Sequence, residues 1–251
     1  MPPLLEVREV TRRFGALPAV DRLDFAVEPG EILGIIGPNG AGKTTLLNLI
    51  SGLLSPSAGQ IRFRGDVITG RAPHTIAAAG IARTFQVMKP LRGLTVRENV
   101  ALGAMFGRGG ERRGTRGARA KADEVLQFLS LGERADEAVS ALTIADLKRL
   151  ELARALAMNP QLLLLDEVMA GLNPREVAWV MGLVQDVNQR GVTILMIEHV
   201  MKVIMGISHR VLVLHHGRRI ALGAPATVSH DPAVIEAYLG RRYGERGDAR
   251  A

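Results

Sequence analysis

The feature that most constrains this chain is a glycine-rich segment at residues 37–44, which reads GPNGAGKT and fits the pattern G-x-x-x-x-G-K-[ST]. It lies between a short apolar run at residues 31–36, which predicts a strand, and a helical pattern that begins at Lys43. Glycines let backbone N–H groups converge on phosphate oxygens, and the positive end of the following helix dipole favours the same anion. A strand, such a loop and a helix in this order predict an α/β fold with a site for a nucleoside triphosphate.

Two side chains of this segment have expected roles. Lys43 is expected to reach the β- and γ-phosphates, and the hydroxyl of Thr44 is expected to bind Mg²⁺. A glycine-rich turn without a ligand is the alternative, but the flanking strand and helix favour a phosphate site. The pattern does not distinguish an ATPase from a GTPase or a kinase. The residues that we expect to contact the nucleotide here are Gly37, Pro38, Asn39, Gly40, Ala41, Gly42, Lys43, Thr44 and Thr45.

A second candidate site follows the apolar run at residues 162–165, where Asp166 and Glu167 stand next to each other. The run predicts a buried strand, and α/β sheets place ligands at the carboxyl ends of their strands. Asp166 is suited to the Mg²⁺ shell, and Glu167 is suited to polarising the water that attacks the γ-phosphate. The alternative is a strand that ends in an ordinary polar turn. The phosphate loop about 120 residues earlier favours the functional interpretation.

Hydrophobic periodicity predicts strands that alternate with helices around a mostly helical middle, roughly residues 90–159. A Gly/Arg-rich stretch at residues 107–117 interrupts this middle, and we expect it to be a mobile loop. The alternation about a glycine-rich turn favours an α/β sheet with a helical insertion. Strands are predicted at residues 5–10, 23–27, 31–36, 60–63 and 66–68 (a hairpin), 161–165, 193–197 and 210–214, and helices at 43–54 and 174–189.

The net charge of +7 is concentrated in two segments, because residues 108–121 carry +5 and residues 241–250 carry +2. The rest of the chain is neutral, which argues against nucleic-acid binding, since that needs a basic face on the folded body. The sequence has no cysteine, which excludes disulfides and thiolate metal sites. It has no signal-peptide pattern and no apolar run near the ~18 residues of a membrane span. We therefore expect a soluble, cytoplasmic protein that reaches a membrane only through a partner.

Four further features accompany the two sites. Phe14 lies upstream of the phosphate loop, Gln86 ends the sequence GIARTFQ, residues 170–174 read AGLNP, and His199 follows a predicted strand. In this order the motifs resemble the ATP-binding subunit of an ABC transporter, which implies that the chain binds ATP and Mg²⁺. The resemblance implies that Gln86 touches Mg²⁺ and water, that His199 contacts the γ-phosphate, and that both act with Glu167 in catalysis. It implies stacking of Phe14 on adenine, although a lone phenylalanine is as often a core residue.

The resemblance covers nearly the whole chain and implies one ABC-type ATP-binding domain over residues 1–240. The implied fold is a P-loop NTPase (RecA-like) core, at about 1–88 and 160–240, with an N-terminal antiparallel β subdomain. A helical subdomain is inserted at about 89–159. Residues 241–251 are expected to form a disordered basic tail.

The resemblance also implies partners. Two ATP-binding subunits, identical or homologous, would close around ATP and work with two membrane-spanning permease subunits at the cytoplasmic face of the membrane. The solute would pass through the permeases without touching this chain. The sequences DEVMAGLNP, IEHVMKVIMGIS and DPAVIEAYLG are similar to the branch that serves branched-chain amino-acid uptake. Relatives in that branch also handle urea, short amides and aromatic acids, so the solute and the direction of transport stay open.

The signature of this family, usually LSGGQ, is replaced here by LTIAD at residues 142–146. Thr143 keeps the hydroxyl that would contact the nucleotide, whereas Asp146 would bring a carboxylate near a phosphate and oppose the helix dipole. That interpretation predicts a weaker half-site. The alternative is that Thr143 and Asp146 cap the following helix, with the aspartate bonded to backbone amides. We favour capping, because a local partner is available before a distant one.

Two other functions are compatible with the same motifs. A related ATPase could act on nucleic acid or the ribosome, but the coiled coils, tandem domains or basic body that this predicts are absent from the sequence. A subunit with an altered signature could also bind ATP and hydrolyse little of it. The basic segment 108–121 could contact anionic headgroups or permease faces, although its glycines favour a solvated loop.

Overall fold

The computed structural model of this protein describes residues 2–85, 90–110 and 114–239. The chain forms two compact units, one made of residues 1–70 and 195–251 and the other of residues 71–194. Within the described residues, no helix is long and apolar enough to cross a membrane. The tail predicted to be disordered, residues 241–251, lies outside the described residues.

Strands and helices alternate along most of the chain, as the hydrophobic pattern predicts. In chain order the strands are β1 (Leu5–Phe14), β2 (Leu17–Val27), β3 (Ile32–Ile36), β4 (Ala58–Phe63), β5 (Asp66–Val67), β6 (Ile81–Arg83), β7 (Leu162–Asp166), β8 (Thr193–Ile197), β9 (Arg210–His215) and β10 (Arg218–Gly223). The helices are α1 (Lys43–Ile50), α2 (Pro73–Ala79), α3 (Val96–Phe106), α4 (Gly114–Phe128), α5 (Ile144–Ala157), α6 (Pro174–Gln189), α7 (Met201–Ile207), α8 (Pro225–Ser229) and α9 (Pro232–Leu239).

An antiparallel sheet in the first unit has the strand order β2-β1-β4-β5. The predicted hairpin in this sheet is confirmed, because Phe63 of β4 pairs with Asp66 of β5 across the two-residue turn Arg64-Gly65. Both turn residues have positive φ angles, 54° and 84°. Positive φ at both positions gives a turn whose twist matches that of paired strands.

The other sheet of the first unit carries the glycine-rich segment. β3 pairs in parallel with β9, and β10 pairs with β9 in the antiparallel direction. On its other side β3 neighbours β8, whose last three residues (195–197) belong to this unit. All five residues of β3 and all five of β8 are buried. Such continuous apolar strands are typical of α/β sheets that are covered on both faces.

Helix α1, which follows the glycine-rich segment, is shorter than the predicted range of 43–54, because it ends at Ile50. Gly52 follows with a φ of 75°, the left-handed conformation with which glycine commonly ends a helix. The N–H of Leu54 donates to the carbonyl oxygen of Asn48 at 3.1 Å instead of continuing the helix.

The second unit combines parallel strands with a cluster of helices. β6 pairs in parallel with β7, and the first two residues of β8 continue this sheet, with the N–H of Thr193 donating to Gln161 at 3.0 Å. Helices α3, α4 and α5 pack against one another. A capping box starts α3, since Thr95 and Glu98 each accept a hydrogen bond from the backbone N–H of the other.

The mobile loop predicted at residues 107–117 is wrong for its last part, because α4 begins at Gly114. Ala118 and Ala122 lie one turn apart on α4, and both are fully buried. Burial of this small-residue face stabilises the helix through tertiary packing, which outweighs the low helix propensity of the glycines. Residues 111–113 lie outside the described part of the chain.

The first part of the same stretch, residues 107–110, forms a hydrogen-bonded turn against the end of α5. The N–H of Arg108 donates to the carbonyl oxygen of Met158 at 2.9 Å. A Cβ at position 107 would lie 2.2 Å from the Cα of Met158, so only glycine permits this approach.

Candidate functional site

The glycine-rich segment connects β3 to α1 in the first unit, and two of its glycines are required by close approach to other backbone. A Cβ on Gly37 would lie 2.2 Å from the carbonyl oxygen of Leu214, and one on Gly42 would lie 2.3 Å from that of Ala19. Both glycines have positive φ angles, 152° and 99°. Helix α1 has no acidic residue in its first turn, so the positive end of its dipole is available to an anion.

Lys43, the first residue of α1, folds back over the same segment. It is buried, and its ammonium donates hydrogen bonds to the carbonyl oxygens of Gly37 at 2.7 Å and Pro38 at 3.1 Å. These bonds hold a compact positive charge at the loop. Thr44 is exposed at the same end of the helix, and Thr45 is partly buried. The first unit therefore brings together the loop, the ammonium and the hydroxyl that the sequence predicts for a phosphate site.

Phe14, the predicted adenine-stacking residue, ends β1 and is 50% exposed. The alternative interpretation of Phe14 as a core residue is therefore wrong. The guanidinium of Arg12 lies 4.9 Å from the centre of the ring, in a cation–π arrangement. Half of the Phe14 surface is accessible to a planar ligand, and stacking on adenine stays a prediction.

Tyr238 on α9 is a neighbour of the phosphate loop that the sequence analysis missed. Its side chain forms a hydrogen bond with the backbone of Gly37. Burial of the ring raises the pKa of Tyr238, and the bond to Gly37 lowers it by a smaller amount. The signal in the sequence is weak: Val234 and Tyr238 are four residues apart, which places both on one face of a short helix.

His199, predicted to contact the γ-phosphate, lies just after β8 and is exposed. β8 and β3 are neighbours in the sheet order. The strands that lead to His199 and to the phosphate loop thus lie side by side. Glu198, the residue between β8 and His199, is buried. The contact of His199 with a phosphate stays a prediction.

Asp166, at the end of β7 in the second unit, is held in a buried ion pair. Its Oδ2 accepts a hydrogen bond from Nη2 of Arg83 on β6 at 2.9 Å, and the two side chains are only 1% and 6% exposed. The N–H of Asp166 donates to the hydroxyl of Thr84 at 3.3 Å. Burial lowers the pKa of Arg83, and the interaction with Asp166 partly offsets this. The sequence analysis missed Arg83, which fixes the carboxylate that we predicted to bind Mg²⁺.

Glu167, the predicted catalytic base, directly follows Asp166 and is partly buried. Its φ is 53°, in the left-handed region, which costs a non-glycine residue about 1–3 kcal/mol. The N–H of Ala170 donates to the carbonyl oxygen of Glu167 at 3.2 Å and closes a turn over residues 167–170. The two adjacent carboxylates therefore differ in setting, one in a buried ion pair and the other on a strained turn.

Gln86, predicted to touch Mg²⁺ and water, lies outside the described residues. The residue before it is described: the N–H of Phe85 donates to Oε1 of Glu151 on α5 at 3.0 Å. Burial raises the pKa of Glu151, and the bond from Phe85 together with the charges of Arg154 and Lys148 lowers it by less. Glu151 was not singled out from the sequence, because a glutamate in a helical pattern reads as a solvated residue.

The altered signature at residues 142–146 forms a cap. Thr143 is the N-cap of α5, and its hydroxyl accepts from the N–H of Asp146 at 3.2 Å, so the favoured capping interpretation is confirmed for Thr143. The predicted bonds from the aspartate to backbone amides are wrong, because its Oδ2 instead accepts from Nη1 of Arg134 at 2.5 Å and from the Thr143 hydroxyl at 2.6 Å. Nη1 of Arg149 lies 3.7 Å from its other oxygen. Two cations thus offset the charge that would oppose a phosphate.

The AGLNP segment, residues 170–174, leads into α6 through a second capping box. The side chain of Asn173 accepts from the N–H groups of Arg175 and Glu176 at 3.0 and 3.1 Å. The carboxylate of Glu176 accepts from the N–H of Asn173 at 2.9 Å. The cap starts α6 at Pro174, as predicted. Contact of this segment with a partner subunit stays a prediction.

The oxygen donors expected to bind Mg²⁺ fit that ion chemically. Mg²⁺ takes oxygen ligands and usually combines one or two carboxylates with water and phosphate oxygens. The Thr44 hydroxyl in the first unit and the Asp166 carboxylate in the second are such donors. Within residues 2–85, 90–110 and 114–239, no group of three or more His, Cys, Asp or Glu side chains could hold a metal ion.

Comparison with known proteins gives two family matches. Residues 20–170 match the family described as ABC transporter. Residues 218–244 match a second one, described as branched-chain amino acid ATP-binding cassette transporter.

Several curated relatives match nearly the whole chain. The high-affinity branched-chain amino acid transport ATP-binding protein BraF of Pseudomonas aeruginosa is 38% identical over 95% of this chain and 98% of its own length. A probable branched-chain amino acid transport ATP-binding protein of Archaeoglobus fulgidus is 34% identical over 96% and 97%. The Nod factor export ATP-binding protein I of Burkholderia thailandensis is 37% identical over 93% of this chain, which spans 76% of that protein.

Solved structures agree with these matches. A nucleotide-free ATP-binding cassette from an ABC transporter superposes with a TM-score of 0.86 at 30% identity, covering 96% of this chain and all of that one. A cassette dimer in a post-hydrolysis state, bound to ADP and phosphate, has a TM-score of 0.76 at 26% identity and covers 88% of this chain and 98% of that one. The predicted α/β P-loop NTPase fold is therefore confirmed. The chain belongs to the ABC transporter family, in which it is an ATP-binding cassette with ATPase activity.

Proposed function

We propose that this chain powers the import of branched-chain amino acids, or related small hydrophobic solutes, through separate membrane subunits. The observation that carries the solute class is the match of residues 218–244 to the branched-chain amino acid family, in addition to the general family match. The relatives named for branched-chain amino-acid transport support it. The relative named for export shares 37% identity but is longer than this chain, which spans 76% of it. Import is thus the better supported direction.

The proposed assembly contains a second ATP-binding subunit, identical or homologous, and two permease subunits, with this chain peripheral at the cytoplasmic face of the membrane. A nucleotide that contacts both ATP-binding subunits stabilises the closed dimer by its differential affinity for that state. Hydrolysis removes the γ-phosphate contacts and weakens the closed state. The transported solute and nucleic acid do not contact this chain in the proposal.

In this assembly the phosphate loop binds the β- and γ-phosphates, with the ammonium of Lys43 beside it. The oxygens of Thr44, Asp166 and Gln86 would hold Mg²⁺, which would supply positive charge to offset the negative charge that builds up on the phosphates during transfer. The ion pair with Arg83 holds one oxygen of the Asp166 carboxylate, Oδ2, in place.

The remaining predicted residues act on the water and on the nucleotide. Glu167 orients the attacking water and accepts its proton. His199 donates a hydrogen bond to the γ-phosphate, and Phe14 stacks on adenine. Thr143 contributes to the nucleotide site of the partner subunit. Its hydroxyl already donates to Asp146, so a contact with a phosphate oxygen requires the hydroxyl to rotate and donate to that oxygen instead.

Hydrolysis is tested with Glu167→Gln in the full-length chain. The variant is expected to bind ATP with the affinity of the wild type, to lose more than about 90% of its turnover because proton acceptance is lost, and to accumulate as a closed dimer. The readouts are steady-state phosphate release and the mass of the ATP-bound species by light scattering. Persistent hydrolysis in the variant would overturn the assignment of Glu167 as the base.

The solute class is tested by uptake in a strain that lacks this chain. The strain is expected to lose uptake of radiolabelled leucine, and the wild-type chain is expected to restore it, whereas a Lys43→Ala chain is not. Uptake of urea, a short amide and an aromatic acid is measured in parallel. Loss of one of these with intact leucine uptake would reassign the solute, and loss of none would contradict the proposed import.

A second candidate function, ATP binding with little hydrolysis, is favoured by one observation. The hydroxyl of Thr143 is committed to Asp146, which is itself bonded to Arg134. Replacement of residues 143–146 by Ser-Gly-Gly-Gln is expected to raise turnover of the assembled complex if the native signature limits it. Unchanged turnover and unchanged nucleotide affinity would remove this candidate.

A further inference from the structure

A lysine on α5 contacts the turn that carries Glu167. The ammonium of Lys148 donates a hydrogen bond to the carbonyl oxygen of Val168 at 3.2 Å and another to that of Ala170. The N–H of Ala170 in turn donates to the carbonyl oxygen of Glu167. The ammonium of Lys148 on α5 thus binds two of the three backbone carbonyls that follow Glu167, those of Val168 and Ala170.

The conformation of this turn needs such support. Glu167 has a positive φ, which is unfavourable for a residue with a Cβ and persists only where the surroundings hold it in place. Met169, between the two bound carbonyls, is buried, and its own carbonyl oxygen accepts from the N–H of Leu172. The bonds from Lys148 therefore hold the backbone segment whose conformation determines the position of the Glu167 side chain.

The surroundings of Lys148 favour a fixed ammonium over a freely moving one. Lys148 lines a small, partly open cavity between α5 and α6, together with Leu152, Val168 and Leu172. Apolar packing along the stem directs the charged end toward the carbonyls. Lys148 also interacts electrostatically with the carboxylate of Glu151 on the same helix.

We propose that Lys148 is a positioning residue for ATP hydrolysis, which holds the turn at residues 167–170 so that the Glu167 carboxylate stays where it can act on water. The inference rests on the proposed role of Glu167 as the base. Lys148 touches neither the nucleotide nor the water in this mechanism. It acts on the rate of the chemical step through the backbone of its neighbour.

The test compares Lys148→Met, Lys148→Arg and Lys148→Gln with the wild type, each as the full-length chain assembled with its partner subunits. Lys148→Met is expected to lower kcat roughly tenfold, because small misplacements of a catalytic group slow reactions by one to two orders of magnitude, while KM for ATP stays within twofold. Lys148→Arg keeps donors for both carbonyls and is expected to recover most of kcat. Lys121→Met on α4, where Lys121 pairs with Glu124 at 2.6 Å, is the matched control and is expected to keep the wild-type rate.

A double-mutant comparison separates positioning from a general structural effect. If Lys148 acts through Glu167, then Lys148→Met in a Glu167→Gln background lowers the residual rate by much less than tenfold. An equal fold-loss in both backgrounds, a wild-type kcat for Lys148→Met, or a loss confined to KM would each overturn the proposal. If Lys148→Met does not fold, Lys148→Gln provides the same comparison. Persistent hydrolysis by Glu167→Gln alone would instead overturn the proposed role of Glu167.

Discussion

The ion pair between Arg83 and Asp166 predicts a large loss of stability when the arginine is removed. Arg83→Met leaves a carboxylate that is 1% exposed in the native protein without its guanidinium partner. Breaking a buried ion pair in this way costs about 3–5 kcal/mol. The carboxylate can avoid the unpaired charge by taking up a proton, which at pH 7 costs about 4 kcal/mol for a group with an ordinary pKa near 3.9. Both routes give a loss of about 4 kcal/mol in the free energy of unfolding at pH 7.

The second route makes the loss depend on pH. In the variant, burial without a cation raises the pKa of Asp166 above its unfolded value, so stability falls as pH rises through the interval between the two values. At pH 5 the same protonation costs only about 1.5 kcal/mol. We therefore expect the deficit of Arg83→Met relative to the wild type to shrink by more than half between pH 7 and pH 5.

We compare the wild type with Arg83→Met and Arg83→Met/Asp166→Asn by urea unfolding. Unfolding is monitored by circular dichroism, in the absence of nucleotide and Mg²⁺. The double variant removes the unpaired charge and is expected to recover at least half of the loss. Arg22→Met is the control, since Arg22 lies 3.7 Å from Asp21 and is 71% exposed, and no measurable change is expected. A loss below about 1 kcal/mol, or no recovery in the double variant, would refute the reasoning.

Three further predictions follow from local geometry. Burial raises the pKa of Glu151 above its ordinary value of 4.5, so the wild type loses stability as pH rises above that value. Glu151→Gln is expected to flatten the dependence of the thermal unfolding temperature on pH between pH 4.5 and 7. An unchanged dependence would contradict this prediction. Asn173→Ala removes the cap of α6 and is expected to lower the free energy of unfolding by about 1 kcal/mol, whereas Asn173→Ser keeps most of it. Gly37→Ala places a methyl 2.2 Å from the Leu214 carbonyl oxygen. We therefore expect the free energy of unfolding to fall by about 1–3 kcal/mol and ATP to bind more weakly by calorimetry. Wild-type values for both would show that the loop can shift.

Features with local signals could be predicted from the sequence. The phosphate loop and the bounds of α6 depend on glycines, a proline and a capping asparagine within a few residues, and the structure reproduces both. β8 is also reproduced, because its apolar run is short and sharply bounded. The end of α1 was predicted too late, since the preference of Gly52 for the left-handed conformation was not weighed.

Features that depend on distant pairing could not be predicted. β6 is only three residues long, and it brings Arg83 to Asp166 by pairing with a strand about 80 residues away. The contacts of Lys148 with the turn after Glu167 likewise depend on how α5 packs in the second unit. The start of α4 inside a Gly/Arg-rich stretch was missed because its stability comes from buried alanines and not from propensity.

The hydrogen bond between Tyr238 and Gly37 connects the C-terminal helix α9 to the phosphate loop. Gly37 lies within the segment that matches ABC transporters in general, and Tyr238 lies within the C-terminal segment that matches the branched-chain amino acid group. The contact therefore joins the segment matched by the branched-chain amino acid family to the segment matched by ABC transporters in general. A substitution at Tyr238, or a truncation that removes α9, therefore alters the surroundings of the phosphate loop without changing the sequence of the loop itself.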